Sequence, residues 1–387
     1  MDLTLKRHLF YETSHSPSLV EMVGHKAAKR IINFCYIANP YYPTPAMMRD
    51  LAKNLPLLIK SYPSSQPRLS QEHLAKVLHL DPARLIIGNG ASELIAFIEE
   101  TLIKNIGIPV PTFSEYLEKL RSHRAAHLYW LDPKKDYQLD LDAYLPWIEE
   151  EGLSSALVIN PGNPTGQFIP LKQMLRFLEH ARKLSLVIVD ESFIDFAGDP
   201  VPSLLAHSDD FENLLIVRSM SKHCGVPGLR LGYCYTANER IPKTPSPGDP
   251  GMEHQQPGRI LLEPPPAHGS RLSRGPAAAH RGDALARGAA REDSWFPRLS
   301  HRGEFRADAD RERRETAAEL QMQLLERFHF YVRDCSNKVG MDDRHIRVAS
   351  QGRAKDIKLV RALKVLARER DQKSRSRRRT SRKRRRK

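Results

Sequence analysis

The chain has 387 residues, of which 40% are hydrophobic and 7% aromatic, so it is long enough for a large and a small domain with separate cores. No apolar run approaches the roughly 18 residues of a membrane span, and residues 1–10 lack the apolar stretch of a secretory signal. We therefore expect neither membrane insertion nor secretion. The formal net charge of +15 is concentrated in residues 368–387, where 13 Lys or Arg face two acidic residues.

The four cysteines form no Cys-x-x-Cys pair. Isolated cysteines of this kind are typical of free thiols in a reducing compartment, rather than of disulfide bridges or zinc ligands. The sequence therefore predicts a cytoplasmic protein without a metal site. The cysteines are Cys35, Cys224, Cys234 and Cys335.

Short, almost wholly apolar runs predict strands that are buried on both faces. Helical patterns lie between them, for example over 91–104 and 171–183. This alternation predicts an α/β fold with a mostly parallel central sheet, helices on both faces and a small α/β domain. Ligands bind at the carboxyl ends of strands in such sheets, so polar residues at those ends are site candidates. The predicted strands are 84–88, 155–160, 186–190 and 214–218.

Residues 242–318 interrupt this pattern. They hold ten of the 28 prolines, contain no Val, Tyr, Asn or Cys, and keep neither the strand nor the helix period. Two explanations stay open, a disordered insertion and a stretch translated in a shifted reading frame. Either one would remove this stretch from the folded domains.

An ordered pattern resumes near Leu320. It predicts strands over 328–333 and 345–349 and an amphipathic helix over 358–367. We therefore expect five segments, which are an N-terminal part of a small domain (1–40), a large cofactor-binding domain (41–241), the anomalous segment (242–318), the rest of the small domain (319–367) and a basic tail (368–387).

Lys222 has two hydroxyls shortly before it, Ser219 and Ser221, and Arg230 eight residues after it. A lysine amine forms an imine with an aldehyde, and hydroxyls with a guanidinium bind phosphate. Together they describe a socket for an aldehyde that carries a phosphate, which is pyridoxal phosphate. A surface lysine in a Ser/Gly loop is the alternative.

The run Gly88-Asn89-Gly90-Ala91-Ser92-Glu93 follows a predicted strand and opens a predicted helix. Glycines let the backbone approach an anion, and the start of a helix supplies unpaired N–H groups. The run therefore predicts a phosphate cradle. A plain turn with a helix cap is the alternative.

Two further strand ends carry polar residues. Asn163, in the stiff turn 160–166, can donate an amide hydrogen to a phenolate oxygen. Asp190 ends an apolar strand, where a lone carboxylate needs a partner. A protonated pyridine nitrogen is such a partner, and the pair keeps the ring electron-withdrawing. A rigid turn and a carboxylate paired with a local cation are the alternatives.

Phe113 and Arg347 complete the candidates. Phe113 can stack on an aromatic ring, although an ordinary core phenylalanine is the alternative. Arg347, on a predicted strand, is suited to clamping a substrate carboxylate in bidentate fashion. A surface arginine is the alternative there.

As an ordered set these motifs resemble fold type I pyridoxal-phosphate enzymes of the class I/II aminotransferase superfamily. The nearest resemblance is to the branch of histidinol-phosphate aminotransferases and threonine-phosphate decarboxylases. It covers 31–241 and 320–367. The motifs that carry it are Gly-Asn-Gly-Ala-Ser, Asn-Pro-Gly-Asn-Pro-Thr-Gly, Asp-Glu-Ser-Phe, and Ser-Met-Ser-Lys followed by Gly-Leu-Arg-Leu-Gly-Tyr.

The resemblance implies that Lys222 forms the imine with the cofactor and moves protons during catalysis. It implies that Asp190 pairs with the pyridine nitrogen, that Asn163 binds the phenolate oxygen, and that Phe113 stacks on the ring. The residues that would hold the cofactor phosphate are Gly90, Ala91, Ser92, Ser219, Ser221 and Arg230.

The resemblance also implies a homodimer, because Tyr62 is similar to a tyrosine that reaches the neighbouring subunit's cofactor phosphate. Arg347 would bind the α-carboxylate of the substrate. Asn163 would also contact the substrate, and Asn39 belongs to a loop similar to the one that closes over it.

Three features depart from the family pattern. Phe193 stands where many of these aminotransferases have a tyrosine that donates to the phenolate oxygen, and its surroundings are more similar to the decarboxylases. The His-Gly-Gly opening of those decarboxylases is absent. Residues 242–318 replace the interdomain helix and much of the small domain.

The sequence therefore predicts a pyridoxal-phosphate-dependent aminotransferase acting on an amino acid or amino-acid phosphate, with a 2-oxo acid as partner. A threonine-phosphate decarboxylase-like lyase and an inactive, decayed member of the family are the alternatives. We do not expect the basic tail to bind nucleic acid, since it lacks aromatic residues for base stacking.

Overall fold

A computed structural model describes residues 5–6, 8–12, 17–62, 68–118, 120, 125–241 and 315–384. The anomalous segment lies outside these residues except at 315–318. The side chains of the basic tail after Arg370 lie almost entirely outside them as well.

The described residues divide into two compact units. The larger unit contains 37–241 and 337–342, and the smaller contains the described parts of 5–36, 315–336 and 343–384. Every candidate site residue except Arg347 belongs to the larger unit.

The strands, in chain order, are β1 (Ile32–Asn33), β2 (Leu85–Asn89), β3 (Ile106–Val110), β4 (Ala126–Trp130), β5 (Ser155–Ile159), β6 (Leu186–Asp190), β7 (Leu214–Ser219), β8 (Leu231–Thr236), β9 (Phe330–Tyr331), β10 (Arg333–Asp334) and β11 (Ile346–Arg347).

The helices are α1 (Leu9–Glu12), α2 (Leu19–Ala28), α3 (Pro45–Lys60), α4 (Arg68–Leu78), α5 (Ala91–Thr101), α6 (Glu115–Glu118), α7 (Leu141–Glu150), α8 (Leu171–His180), α9 (Met220–His223), α10 (Ala317–Phe328) and α11 (Arg353–Arg384).

The larger unit is built on a seven-stranded sheet with the order β2-β8-β7-β6-β5-β3-β4. The pairs among β3, β4, β5, β6 and β7 are parallel, and β8 alone runs against its neighbours. Since β2 and β7 both pair antiparallel with β8, β2 runs in the same direction as the parallel strands. The carboxyl ends of six strands therefore lie along one edge.

The sheet separates two apolar layers. Val187, Val189 and Ile216 pack with α7 and α8 on one face, whereas Ile188 and Val217 pack with α5 on the other. Every residue of β6 and β7 is buried. Continuous Val/Ile/Leu runs produce strands of this kind because both of their faces meet helices.

The smaller unit holds two short strand pairs, β1 with β9 in parallel and β10 with β11 in antiparallel orientation. Its helix α10 begins with a capping box, in which Thr316 accepts from the Glu319 N–H and Glu319 accepts from the Thr316 N–H. His329 ends this helix in the left-handed conformation, with a φ of 60°. Phe34, Leu324 and Leu359 lie in its apolar core.

The mostly parallel α/β architecture is confirmed. The four predicted strands correspond to β2, β5, β6 and β7 within one residue at each end. The predicted strand 328–333 is shorter than expected, because α10 continues to Phe328 and β9 holds only two residues. β3, β4 and β8 carry Gly, Pro, His or Tyr within their apolar runs, and the sequence analysis missed them.

Among the described helices, none combines the length and the hydropathy that a bilayer crossing requires. The four cysteines are buried and unbridged.

Candidate active site at the carboxyl edge of the sheet

The predicted site residues of the larger unit follow strands that end at the same edge of the sheet. Asp190 closes β6 and Ser219 closes β7, while Gly90 follows β2. Arg230 reaches this edge from the opposite direction, since it immediately precedes the antiparallel β8. The topology therefore brings together motifs that are more than one hundred residues apart in sequence.

Gly90 and Arg230 form the first part of the site. Gly90 caps α5 with a φ of 84°, and a Cβ atom placed on it would lie 2.6 Å from Nη2 of Arg230. Arg230 itself is left-handed, with a φ of 51°. A guanidinium is therefore held over the start of α5, where backbone N–H groups and the helix dipole also favour an anion.

Gly232 makes this approach of β8 to the start of α5 possible. An added Cβ would lie 2.6 Å from both the Ala91 nitrogen and the Gly90 carbonyl carbon, which are backbone atoms that cannot rotate away. We expect Gly232→Ala to lower the free energy of unfolding by about 1–3 kcal/mol, measured by urea denaturation. Gly228→Ala is the matched control, since no atom lies within 4 Å of its added Cβ. Equal stability of the two variants would contradict this reading of the contact.

Lys222 lies in the single-turn helix α9, directly after β7. Its Nζ atom is 5.9 Å from the centroid of the Phe193 ring. Its backbone oxygen accepts a hydrogen bond of 2.8 Å from the Asn39 N–H. Gly225, with a φ of 62°, lets residues 39–42 pack against this turn, because a Cβ there would lie 1.8 Å from the Tyr42 backbone oxygen and 2.7 Å from that of Asn39.

Asp190 is buried at the end of β6, and Lys222 follows the neighbouring strand β7. Its Oδ1 accepts from the Ser192 N–H at 2.8 Å, and its Oδ2 accepts from the Tyr116 hydroxyl at 2.9 Å. Burial raises the pKa of Asp190 above its ordinary value, while the hydrogen bonds from Ser192 and Tyr116 and the positive charge of Lys222 act in the opposite direction. The site thus holds a buried carboxylate and an amine of opposite charge.

The other predicted residues vary in their surroundings. Phe113 makes an edge contact with the ring of Tyr116, with centroids 6.5 Å apart. Asn163 is buried. The Ser92 hydroxyl donates to Glu115 at 3.1 Å. Ser221 is fully buried, and its hydroxyl has no hydrogen-bond partner within the part of the chain that the structure describes.

Sequence reasoning did not find a network of charged side chains around Arg218, four residues before Lys222. Nη2 of Arg218 lies 2.7 Å from Oδ1 of Asp195, and Nη1 lies 3.3 Å from Glu191. Asp195 also lies 3.3 Å from Nδ1 of His223. Asp195 therefore contacts residues on both sides of the Ser219–Lys222 run. The signal was present as a charged residue at the end of an apolar strand, as for Asp190.

The surroundings of the remaining three predicted residues differ from one another. Asn39 is buried, and its side chain accepts from the Tyr41 N–H at 2.9 Å. Tyr62 is 93% exposed at the end of α3. Arg347 belongs to the smaller unit, where it donates to the Cys35 carbonyl oxygen at 2.7 Å.

The sheet order and the residues along its carboxyl edge define a fold type I transferase of the pyridoxal-phosphate-dependent class. A solved decarboxylase from Sulfurospirillum multivorans has the same fold, with a TM-score of 0.67 and 26% identity over 87% of this chain and 94% of that one. Residues 29–244 match the family of class I and II aminotransferases, and the chain belongs to this family. The predicted resemblance is thereby confirmed.

The curated relatives include decarboxylases and aminotransferases. Over 239 residues the chain is 33% identical to an L-serine phosphate decarboxylase of Sulfurospirillum multivorans, covering 59% of this chain and 61% of the relative. Over 202 residues it is 29% identical to a histidinol-phosphate aminotransferase of Thermoanaerobacter pseudethanolicus, covering 50% of this chain and 56% of that one. The chain thus spans roughly three fifths of the length of these relatives.

Proposed function

We propose that the protein is a pyridoxal-phosphate-dependent enzyme that acts at the α-carbon of an amino-acid phosphate, with decarboxylation as its reaction. The observation that carries the proposal is the placement of the buried Asp190 at the end of β6 and of Lys222 just after the paired strand β7, at one edge of the sheet. Family members use pyridoxal phosphate, and the L-serine phosphate decarboxylase to which the chain is similar acts, by its name, on an amino-acid phosphate.

The donor set of this chain fits the cofactor. The guanidinium of Arg230 over the start of α5 suits a phosphate dianion, and the Ser221 hydroxyl is a buried donor without a protein partner among the described residues. We assign the remaining phosphate contacts to Gly90, Ala91, Ser92 and Ser219. Asn163 is assigned to the phenolate oxygen and Phe113 to the ring face.

Bound at this edge, pyridoxal phosphate would supply an electron-withdrawing ring conjugated to the α-carbon. Lys222 supplies the amine that binds the aldehyde and then carries protons at its Nζ atom. Asp190 holds a negative charge where the ring nitrogen needs one. Arg347 remains the proposed ligand of the α-carboxylate, and Asn39 remains a proposed contact of the substrate.

Transamination with a 2-oxo acid is the second candidate, supported by the histidinol-phosphate aminotransferase relative. Phe193 weighs against it. This ring faces the Lys222 amine at 5.9 Å but has no hydroxyl to donate to the phenolate oxygen. The choice between the reactions depends on which bond of the α-carbon stands perpendicular to the cofactor ring.

The test is a substrate assay with the purified chain and pyridoxal phosphate. L-serine phosphate and L-threonine phosphate are the trial substrates, and serine and threonine are the matched controls. Release of carbon dioxide from the phosphorylated pair alone supports the proposal. Formation of a 2-oxo acid supports transamination, and neither product from a protein that binds the cofactor indicates a decayed member of the family.

We also propose a homodimer formed through α3. No residue of this helix is buried. Leu55 is 46% exposed, Ile59 lies one turn later on the same face and is 75% exposed, and Tyr62 follows with 93% exposure. Apolar side chains clustered on one exposed helix are typical of a protein interface. A second copy of the chain is the proposed partner, because Tyr62 is then available to a neighbouring site.

Replacing Leu55 and Ile59 together by aspartate is expected to weaken the dimer at least about 100-fold, since two charges would enter an apolar contact. Sedimentation velocity over a range of protein concentrations measures this change. Val360→Asp, at a half-exposed apolar position of α11 in the smaller unit, is the control. A wild-type protein that sediments as a monomer would rule out this interface.

The four free thiols support a reducing, cytoplasmic location as part of the same proposal. That the basic tail does not bind nucleic acid stays a prediction. Deletion of residues 368–387, followed by nucleic-acid binding assays at two salt concentrations, would test it.

A further inference from the structure

Tyr116 is a fully buried side chain that belongs to none of the predicted motif roles. It lies in the short helix α6, after β3, and its hydroxyl donates to Oδ2 of Asp190 at 2.9 Å. Burial and the nearby Asp190 charge raise the pKa of Tyr116 well above its ordinary value, so the phenol keeps the proton that it donates.

The two oxygens of Asp190 are thus held by different parts of the sheet edge. The Ser192 N–H, which follows β6, donates to Oδ1 at 2.8 Å. The Tyr116 hydroxyl, which follows β3 in the chain, donates to Oδ2 at 2.9 Å. Two donors in different directions restrict rotation of the carboxylate. Both also stabilise its charged form, against the burial that favours the neutral form.

Tyr116 also contacts the residue proposed to lie against the cofactor ring. Its ring meets Phe113 edge-on, with an interplanar angle of 75°. One side chain therefore contacts both residues that the proposed function places at the pyridine ring, the stacking phenylalanine and the carboxylate partner of the nitrogen.

We propose that Tyr116 is a positioning residue that fixes Asp190 and keeps it ionised toward the pyridine nitrogen of the cofactor. This inference rests on the proposed function, since it gives Tyr116 a role only if pyridoxal phosphate binds at this edge. Without the phenol, Asp190 would be more basic and would compete more strongly with the pyridine nitrogen for a proton.

The test compares Tyr116→Phe with the wild type. The variant keeps the aromatic ring and its contact with Phe113 and loses only the hydroxyl. Two readouts are used, the dissociation constant for pyridoxal phosphate and the 15N chemical shift of ring-labelled cofactor bound to the protein. A hydrogen bond to a charged group contributes about 1.5–3 kcal/mol, so we expect about 10-fold to 100-fold weaker cofactor binding. The nitrogen shift should move toward that of an unprotonated pyridine.

Tyr144→Phe is the matched control. Tyr144 is also fully buried, and its hydroxyl also donates to protein oxygens, the Gly107 carbonyl at 2.5 Å and the Leu157 carbonyl at 3.2 Å. Its ring stacks on Trp147. The control therefore loses a buried hydroxyl of the same kind without touching Asp190, and both cofactor readouts should stay at their wild-type values.

The outcomes separate the two proposals. If the wild type binds the cofactor and Tyr116→Phe matches it in affinity and nitrogen shift, the role of Tyr116 is overturned and the proposed function stands. Equal changes in Tyr116→Phe and Tyr144→Phe would overturn it too, because a general loss of packing would explain both. A wild type that binds no cofactor would overturn the proposed function and this inference with it.

Discussion

Lys222→Ala is expected to abolish the visible absorbance of protein-bound pyridoxal phosphate and its covalent attachment after borohydride reduction. The reason is that Lys222 follows β7, the strand paired with the one that ends at the buried Asp190, and that its amine lies over the Phe193 ring. Loss of proton transfer alone should reduce turnover by about 10²–10⁴-fold. Absorbance titration and mass spectrometry of the reduced protein measure the first two effects.

Lys172→Ala provides the control for Lys222→Ala. Lys172 is an exposed lysine of α8 on the same unit, so its removal tests nonspecific reaction of surface amines with the aldehyde. We expect this variant to keep the absorbance and the attachment site of the wild type. Covalent attachment that persists at one equivalent in Lys222→Ala would place the reactive lysine elsewhere and remove the basis of the proposed function.

Arg218→Met is expected to lower the free energy of unfolding by about 3–5 kcal/mol at neutral pH, because it leaves the buried Glu191 and the largely covered Asp195 without their shared cation. Arg218 is 6% exposed and Glu191 is 1% exposed, so water screens neither of them. Urea denaturation measures the change. Arg176→Met is the control, since Arg176 pairs with Asp142 at 2.6 Å on the surface and should cost at most about 1 kcal/mol.

The loss of stability in Arg218→Met, relative to the wild type, is expected to depend on pH. In the wild type, burial acts to raise the pKa of Asp195, but the charges of Arg218 and His223 outweigh it, so the pKa is lowered. Asp195 therefore contributes stability above its unfolded pKa, and this is lost as the pH falls through the folded value. Without Arg218 the pKa of Asp195 rises, which reverses the sign of its contribution, and the pKa of Glu191, already raised by burial, rises further. The deficit of Arg218→Met should thus be smallest near about pH 4 and largest at neutral pH, and a deficit independent of pH would contradict the network.

Strands were predicted correctly where a continuous apolar run reflects burial on both faces of the sheet. The segments Leu186–Asp190 and Leu214–Ser219 are apolar throughout because helices cover both faces of the central sheet, and such runs can be read directly from sequence. β8 was missed because its glycine and two tyrosines weaken the pattern, although all of its residues are buried. Gly232 has no apolar side chain, and it is required for a contact with the start of α5 that sequence does not reveal.

Some residues of the candidate site could likewise be predicted from the sequence, and others could not. Asp190 and Lys222 could be predicted because the chemistry of each motif follows from residues that are neighbours in sequence. Ligands bind at the carboxyl ends of strands in such sheets, so the two motifs could also be expected to lie at one edge. Tyr116 could not be assigned a role, since its importance comes from one oxygen of Asp190, 74 positions away. Arg218 was predicted only as the last residue of a strand. Its distances to Glu191 and Asp195 are what identify it as the centre of an ion-pair network.

By itself, the sequence determined the family, the α/β class, the order of the motifs and the kind of cofactor that those motifs suit. Each of these depends on local pattern, such as the period of apolar residues, a glycine before a helix or a lysine after two hydroxyls. The tertiary structure alone decided which groups are partners. Hydrogen bonds and ion pairs such as Tyr116–Asp190 and Arg218–Asp195 join residues on different elements, and their energies depend on distance and burial, which the chain acquires only when the sheet is assembled.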